Sequence, residues 1–398
     1  MSVIPAGYKQ TEVGVIPEDW TVATVGDSFD ICNQFRLPIS QAVREQMSGS
    51  YPYYGPTNIQ GWINEYRVEG EYALIGEDGD HFLKWRSQPM TLLVRGKFNV
   101  NNHAHLVRGT KNRTDWFYWF FANRDITPSL SRQGAGRYKL NKATLLKLLC
   151  VLPPLLEQRA IAAALSDVDA LLAKLDQIIA KKRDLKQAAM QQLLTGKKRL
   201  PGFSGEWEVK RLGDVAEMGS GGTPLSSVAA YYDGDIPWVS ISDMTNGGKI
   251  IESTERNLTA LGFANSATQI FPAGTVLYAM YASLGECSIA GKPLCTSQAI
   301  LGIRAKNNLY AEFLYYCLMS LKGVVKTLGQ QGTQSNLNKG MVQDFRLSLP
   351  PVPEQTAIAA VLSDMDAELA ALESRRDKTR ALKQGMMQEL LTGRIRLV

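Results

Sequence analysis

A chain of 398 residues with 45% hydrophobic content is long enough for two domains with ordinary cores and too apolar for intrinsic disorder. A net charge of +6 admits a nucleic-acid partner without requiring one. No apolar run approaches the roughly 18 residues that cross a bilayer, and MSVIPAGYKQTEVG lacks a signal peptide's apolar stretch, so the expectation is a cytoplasmic chain with no membrane association.

Taken in chain order, EDWTVATVGDSFDI from Glu18 opens a first region in which YRVEGEYALIGEDGD, PMTLLVRGKF and NNHAHLVRG read as strands and turns, and TDWFYWFFAN as an aromatic-rich helix. A polar loop, SRQGAGRYKLNK from Ser131, leads to the strand KLLCV and a Pro-Pro pair. A long helix follows. The second region opens with GEWEVKRLGDVAEM from Gly205 and has strands in DIPWVSISDM, AGTVLYAMY and TSQAILGIRA, then the helix NLYAEFLYYCLMS. The polar loop GQQGTQSNLNKG from Gly329 and the strand RLSL bring it to a second Pro-Pro pair and a second long helix. The five cysteines, Cys32, Cys150, Cys287, Cys295 and Cys317, show no C-x-x-C spacing and read as reduced core residues.

The two helices are a repeat. LPPLLEQRAIAAALSDVDALLAKL from Leu152 and LPPVPEQTAIAAVLSDMDAELAAL from Leu349 align without a gap, and the offset of 197 from Glu157 to Glu354 holds through Leu194-Thr195-Gly196 and Leu391-Thr392-Gly393. Pro-Pro breaks each preceding strand, and only Gly385 interrupts the helical run that follows. Leu165, Val168, Leu172, Leu175 and Ile179, with Leu362, Met365, Leu369 and Leu372, recur at alternating spacings of three and four, the seam of a coiled coil. Past Ile179 the seam turns polar, with Lys182 and Lys186, and with Arg376 and Thr379 in the second copy. From Glu157 to Thr195 one helix would measure roughly 58 Å, which fits a spacer better than a globular helix. A weaker repeat at an offset of 187 matches Trp20 to Trp207 and Gly26-Asp27 to Gly213-Asp214. Frame and ends therefore repeat while the interiors diverge. The expected architecture is α+β (mixed α/β) and pseudo-two-fold symmetric, with two domains joined by a pair of long antiparallel coiled-coil helices. The expected segments are residues 1–151, 152–199, 200–348 and 349–398.

The divergent interiors differ in their polar lettering. The first offers Lys84, Arg86, Arg95, Lys97, Asn101, His103, Arg132, Gln133, Arg137, Tyr138 and Lys139; the second offers Ser220, Thr223, Ser240, Tyr281, Gln298, Gln330, Gln331, Thr333, Gln334, Ser335 and Asn336. Arg and Lys match the O6 and N7 of guanine, and Asn and Gln the N6 and N7 of adenine. Each residue taken singly also fits an ordinary solvated loop, and it is two polar loops in equivalent positions that point to recognition. Catalytic motifs fare worse. MGSGGTP from Met218 has neither the Walker lysine nor G-x-G-x-x-G spacing and reads as a turn. GEDGDH clusters Glu77, Asp78 and Asp80, but an acidic Gly-rich turn is its commoner meaning. His103 and His105 share a strand face without a cysteine or carboxylate beside them, so a metal is not expected. KKRD at Lys181 and KKR at Lys197 suit either a phosphate track or a solvated helix face.

The doubled PP-x-x-EQ (Pro153-Pro154, Glu157-Gln158; Pro350-Pro351, Glu354-Gln355) carries Ile161 and Ile358, Leu165 and Leu362, and Asp169 and Asp366 at matching positions. It closes twice on LKQ-x-x-MQ-x-LLTG, from Leu185 to Gly196 and from Leu382 to Gly393. Over essentially the whole chain this resembles the specificity subunit of Type I restriction-modification systems. GGTP at Gly221 to Pro224 and IPWV at Ile236 to Val239 add to the likeness. The resemblance implies two target-recognition domains on double-stranded DNA and no catalysis in this chain. It also implies two methyltransferase subunits as partners, with restriction subunits in the full complex. S-adenosylmethionine, ATP and Mg are then expected on those partners and no cofactor here. One departure is that the sequence ends with RIRLV at Val398, without a second PGFSGEW; the N-terminal segment is expected to supply that role and make the molecule circularly symmetric. The rivals are a stand-alone DNA-modifying or DNA-cleaving enzyme and a structural protein-binding adaptor.

Overall fold

The computed structural model describes residues 4–133, 137–331 and 336–397. The chain divides into two units: Met1–Leu175 with Arg375–Val398, and Asp176–Ser374. Each long helix, Leu155–Leu193 and Val352–Leu390, has 39 residues and gives its first half to one unit and its second half to the other.

Unit 1 is built on a six-stranded sheet in the order Phe29–Ile31, Ala104–Gly109, Val68–Gly76, Thr91–Val100, Ser48–Tyr54, Ile59–Ile63. Its neighbours pair antiparallel, except that Ser48–Tyr54 runs parallel to Thr91–Val100. Unit 2 carries a five-stranded sheet in the order Ala216–Ser220, Ile300–Ala305, Val276–Ala279, Cys287–Ala290, Ile250–Ile251. The first four strands of each sheet follow one topology: the opening strand pairs with the last, and a hairpin completes the sheet. A three-stranded sheet, Arg256–Leu258, Tyr232–Val239 and Cys295–Thr296, is added in unit 2.

Below each sheet the repeated frame is closed in the same register. Thr21–Thr24 pairs antiparallel with Leu149–Leu152, and Glu208–Arg211 with Arg346–Leu349, so the two sequence offsets, 187 and 197, meet in one pair of two-stranded ribbons. The helix after each main sheet supplies the core. Thr114–Ala122 buries Trp116, Phe117, Trp119, Phe120 and Phe121 against Trp20, Phe29 and Val107. Ala311–Gln331 buries Phe313, Leu314, Tyr316 and Leu318 against Val276, Tyr278 and Ile303. Full burial of one such side chain contributes about 1.5–3 kcal/mol relative to exposure, so these helices anchor their domains. Among the described residues no helix is long and apolar enough to cross a membrane, and all five cysteines are free and buried.

The seam residues divide by position. Leu165 belongs to the unit 1 core with Ile161, Ala162 and Leu390, and Leu362 to the unit 2 core with Ile358, Ala359, Met190 and Leu193. Met365 packs partly buried against that second core. Leu175 and Ile179 are buried, whereas Val168, Leu172, Leu369 and Leu372 are half-buried. Ion pairs take over beyond them: Lys383 meets Asp169 at 2.6 Å within unit 1, and Lys182 meets Glu368 at 2.6 Å within unit 2, where Lys186 also pairs with Asp366. Residue numbers rise on one helix as they fall on the other, so the helices run antiparallel within unit 2.

Candidate nucleic-acid interface

The doubled PP-x-x-EQ motif builds the frame that holds the candidate loops. Glu157 is fully buried, and its carboxylate accepts from the Trp20 indole (2.8 Å) and from two nitrogens of Arg396 (2.6 and 2.8 Å). Arg396 also grips Asp19 (2.7 Å) and holds its carboxyl below the usual aspartate range. In unit 2 the equally buried Glu354 accepts from Trp207 (3.3 Å) and from Arg199 (2.5 and 2.6 Å). Arg199 and Arg396 are equivalent at the offset of 197, so the end of each long helix clamps the beginning of the other. Gln158 donates to the Pro153 carbonyl (2.8 Å) and Asn112 (2.9 Å) and accepts from the Arg113 amide (3.1 Å). Gln355 does the same with Pro350 (2.8 Å), Asn308 (3.0 Å) and the Tyr310 amide (2.8 Å). Glu and Gln are thus buried polar pegs that fix each domain on its helix, since a buried carboxylate is tolerated only when paired and hydrogen-bonded. The N-terminal segment joins this closure in unit 1, where the Tyr8 hydroxyl donates to the Gly393 carbonyl at 2.8 Å.

Above the frame, one network ties the unit 1 loops together. Arg36 donates to Glu77 (2.8 Å), to the Asn102 carbonyl (3.1 Å) and to Nδ1 of His105 (2.7 Å). Asn33 reaches the same nitrogen (2.9 Å), and His105 Nε2 faces the Leu140 carbonyl (2.7 Å). Two donors on Nδ1 and an acceptor at Nε2 define the neutral tautomer protonated at Nε2, and burial accordingly holds the imidazole below the usual histidine range. Glu77 also faces Lys139 at 3.7 Å, and His103 faces Asp78 at 3.0 Å. Glu77 is therefore engaged by Arg36 and Lys139 and Asp78 by His103, and among the described residues no group of three His, Cys, Asp or Glu side chains could hold a metal ion.

That network fixes the base of the hairpin Ser131–Gln133 and Arg137–Lys139, on which Arg132 donates to the Tyr138 hydroxyl (2.8 Å). Arg132 and Arg137 are exposed, and Tyr138 and Lys139 are half-buried. Asn101 is 5% exposed and its amide is used internally, donating to Gln60 (3.0 Å) and accepting from the His103 amide (2.8 Å). Lys84, Arg86, Arg95 and Lys97 are exposed but stand apart from the network: Arg95 pairs with Glu71 (2.7 Å), Lys97 lies 4.5 Å over Tyr66 and Arg86 4.2 Å over Trp85. The Gln133 side chain lies outside what the structure describes.

In unit 2 backbone hydrogen bonds bring a second set of loops side by side. Gly221 and Gly222 bond to Ile300 and Thr296, Ser297 to Val239, Met280 to Ala299, and Leu337 to Met280. Ser220, Thr223, Tyr281, Gln298 and Asn336 are exposed on these adjoining segments. The glycines are needed for contact, because a Cβ on Gly221 would stand 2.2 Å from the Thr296 carbonyl. GGTP and IPWV are joined by the Trp238 indole, which donates to the Gly222 carbonyl at 2.9 Å. Ala282, beside Tyr281, adopts φ 58, a left-handed conformation that costs a non-glycine residue about 1 kcal/mol or more and presents Tyr281 at the turn. The Ser240 hydroxyl caps the helix Ile241–Gly247 in a capping box with Asp243. The side chains of Gln330 and Gln331, and Thr333, Gln334 and Ser335 entirely, lie outside the described residues.

Sequence reasoning missed Arg36, Gln60, Arg199 and Arg396. Only the two clamp arginines had a legible signal, their equivalence at the repeat offset.

Residues 17–181 and 204–379 each match the family described as Type I restriction modification DNA specificity domain. A Type I restriction enzyme MjaIX specificity subunit of Methanocaldococcus jannaschii is 33% identical over 164 residues, which is 40% of this chain and 38% of that relative. The EcoDI specificity subunit of Escherichia coli is 19% identical over 95% of this chain and 88% of its own length. Among solved structures, an S subunit of a Type I restriction-modification system from M. genitalium superposes with a TM-score of 0.64 at 15% identity, covering 93% of this chain and 96% of that one. With its two matched regions spanning most of its length, the chain belongs to the Type I restriction-modification DNA specificity domain family.

Proposed function

We propose that this chain is the DNA-reading specificity subunit of a Type I restriction-modification complex and makes or breaks no bonds itself. Each domain reads one half of an asymmetric bipartite target in double-stranded DNA. The observation that carries this reading is one buried clamp built twice, Trp20–Glu157–Arg396 and Trp207–Glu354–Arg199, holding two loop sets of dissimilar chemistry. A repeated frame with divergent loops is what two different half-sites require. In unit 1 the loops present Arg132, Arg137 and Lys139 near His103, suited to guanine and phosphate; in unit 2 they present Thr223, Tyr281 and Gln298, suited to adenine and to thymine methyl groups. The long helices set the unspecified gap and dock two methyltransferase subunits, which methylate adenine N6 with S-adenosylmethionine. Restriction subunits using ATP and Mg join the full complex, which works in the cytoplasm.

The test is methyl transfer from labelled S-adenosylmethionine to unmethylated genomic DNA by purified chain, by its methyltransferase partner and by the mixture. N6-methyladenine formed only by the mixture is the expected result. Methylation or cleavage by the chain alone would replace this reading with that of an enzyme. No salt-dependent DNA binding with the partner present would leave an adaptor.

A further inference from the structure

A cavity of about 670 Å³ in unit 1 lies between the aromatic helix and the end of the second long helix, lined among others by Trp85, Arg86, Trp119, Arg124, Lys383 and Gln388. Its unengaged groups are donors. Arg124 is half-buried, with its guanidinium 4.3 Å over the Phe120 ring, and no ion pair or hydrogen bond holds it among the described residues. Burial draws that guanidinium below the usual arginine range. Arg86 rests on Trp85 at 4.2 Å, also without a carboxylate partner among the described residues. Trp119 is 2% exposed, and its indole N–H, itself sealed from solvent, has no acceptor among the described residues. A guanidinium parked on an aromatic face keeps its charge and its planar fork of N–H groups, whereas a carboxylate partner would occupy both. A half-buried cation without an acceptor is unfavourable unless an anion completes it.

The matching place in unit 2 is neutralised. At the offset of 197, Tyr316 stands for Trp119, Lys186 for Lys383 and Asp366 for Asp169. There the Tyr316 hydroxyl donates to Asp366 (2.7 Å) and Arg183 pairs with Glu373, while the Lys186–Asp366 pair has its counterpart in unit 1 as Lys383–Asp169. Acids line that cavity and are absent from the lining of the first.

We propose that the unit 1 cavity binds a phosphate of the DNA backbone, with Arg86 and Arg124 as guanidinium forks. This rests on the reading of the chain as a DNA reader. A phosphodiester is favoured by position: the 3-10 helix Asp80–Lys84 joins the loop of Asp78 and His103 to Trp85 and rises about 10 Å, close to the roughly 12 Å width of the major groove. A duplex whose base edges meet those loops has a backbone within reach of Arg86. Fork geometry suits phosphate oxygens.

The test uses the full chain with its methyltransferase subunit and a labelled duplex carrying the motif that the wild-type complex methylates, titrated across a salt series. Arg86→Gln/Arg124→Gln is expected to make the slope of log K against log salt shallower by about 0.9, the loss of one phosphate contact, while the methylated motif stays the same. Arg86→Gln alone, at an exposed position that the fold does not need, is expected to weaken binding in the same direction and covers the case of a misfolded double variant. An unchanged slope in the folded variants would overturn the proposal. Weakened assembly with the methyltransferase subunit at an unchanged slope would also overturn it and assign the cavity to a partner carboxylate. A wild-type complex without salt-dependent DNA binding would overturn the DNA-reading role along with it.

Discussion

Removing one arginine near the C-terminus should loosen the first domain through Glu157, 239 residues away in sequence. Glu157 is fully buried and accepts from Trp20 and Arg396, whose side chain is 30% exposed. In Arg396→Ala the carboxylate keeps the indole but loses its charge partner. Breaking a buried ion pair on one side costs about 3–5 kcal/mol. Because Arg396 borders solvent, water enters the vacated space and screens the carboxylate, which brings the expected loss to about 2 kcal/mol. For a unit of this size that lowers the melting midpoint by about 4–8 °C. Glu157→Gln in the same background removes the stranded charge while keeping an acceptor for Trp20, so the double variant should recover most of the loss. Hydrogen exchange read peptide by peptide should place the weakening in Met1–Leu175 and leave unit 2 protected. An Arg396→Ala chain within about 0.5 kcal/mol of wild type, the spread of an ordinary surface substitution, would refute the clamp.

The three histidines, His81, His103 and His105, all lie in unit 1, and burial lowers the pKa of His81 and His105. Groups with folded pKa values below the unfolded value contribute stability that is complete above about pH 6.5 and lost as pH falls through the folded pKa; unit 1 should therefore open selectively at mildly acidic pH, and equal acid sensitivity of unit 2 would contradict this. Gly221→Ala forces a Cβ to within 2.2 Å of the Thr296 carbonyl, so it should destabilise unit 2 by about 1–3 kcal/mol in denaturant titration, and a neutral outcome would mean the loop has room. Native protein should show no thiol reacting with a water-soluble reagent, because all five cysteines are buried and burial raises their pKa values, most strongly at Cys150, Cys287 and Cys317; rapid labelling of any one would mark an unrecognised opening. Gln298→Ala should relax one base position by about 1–3 kcal/mol of discrimination, read by methylation of a randomised duplex library, and an unchanged preference would remove Gln298 from base contact.

The long helices and the strands that lead into them were legible because Pro-Pro pairs, periodicity and a constant offset are local signals that survive without tertiary context, whereas the pairing of those strands into ribbons was not. Their chemistry was not. PP-x-x-EQ is visible as a repeat, yet that its Glu receives an arginine from the far end of the other helix depends on three-dimensional closure. Leu165 and Leu362 fit the seam periodicity equally well as core anchors, and only burial separates the two uses. The loops were hardest. Asn101 and Ser240 have the right donors for base reading, but one braces Gln60 and the His103 amide and the other caps a helix. Arg36, which organises the unit 1 loops, attracted no notice because Glu77, Asn102 and His105 reach it from segments distant in sequence. Polar side chains in loops serve the backbone as readily as a ligand, and sequence alone does not distinguish the two.

The most direct test is single-molecule sequencing of genomic DNA from a methylation-free host carrying the methyltransferase partner with either the wild-type chain or a chain altered only in the unit 2 loops at Thr223, Tyr281 and Gln298. The expected result is N6-methyladenine at one asymmetric bipartite motif, with the altered chain changing one half-site and leaving the other half and the gap intact. Methylation that followed no bipartite motif, or loop changes that altered both halves together, would contradict two independent readers on a repeated frame.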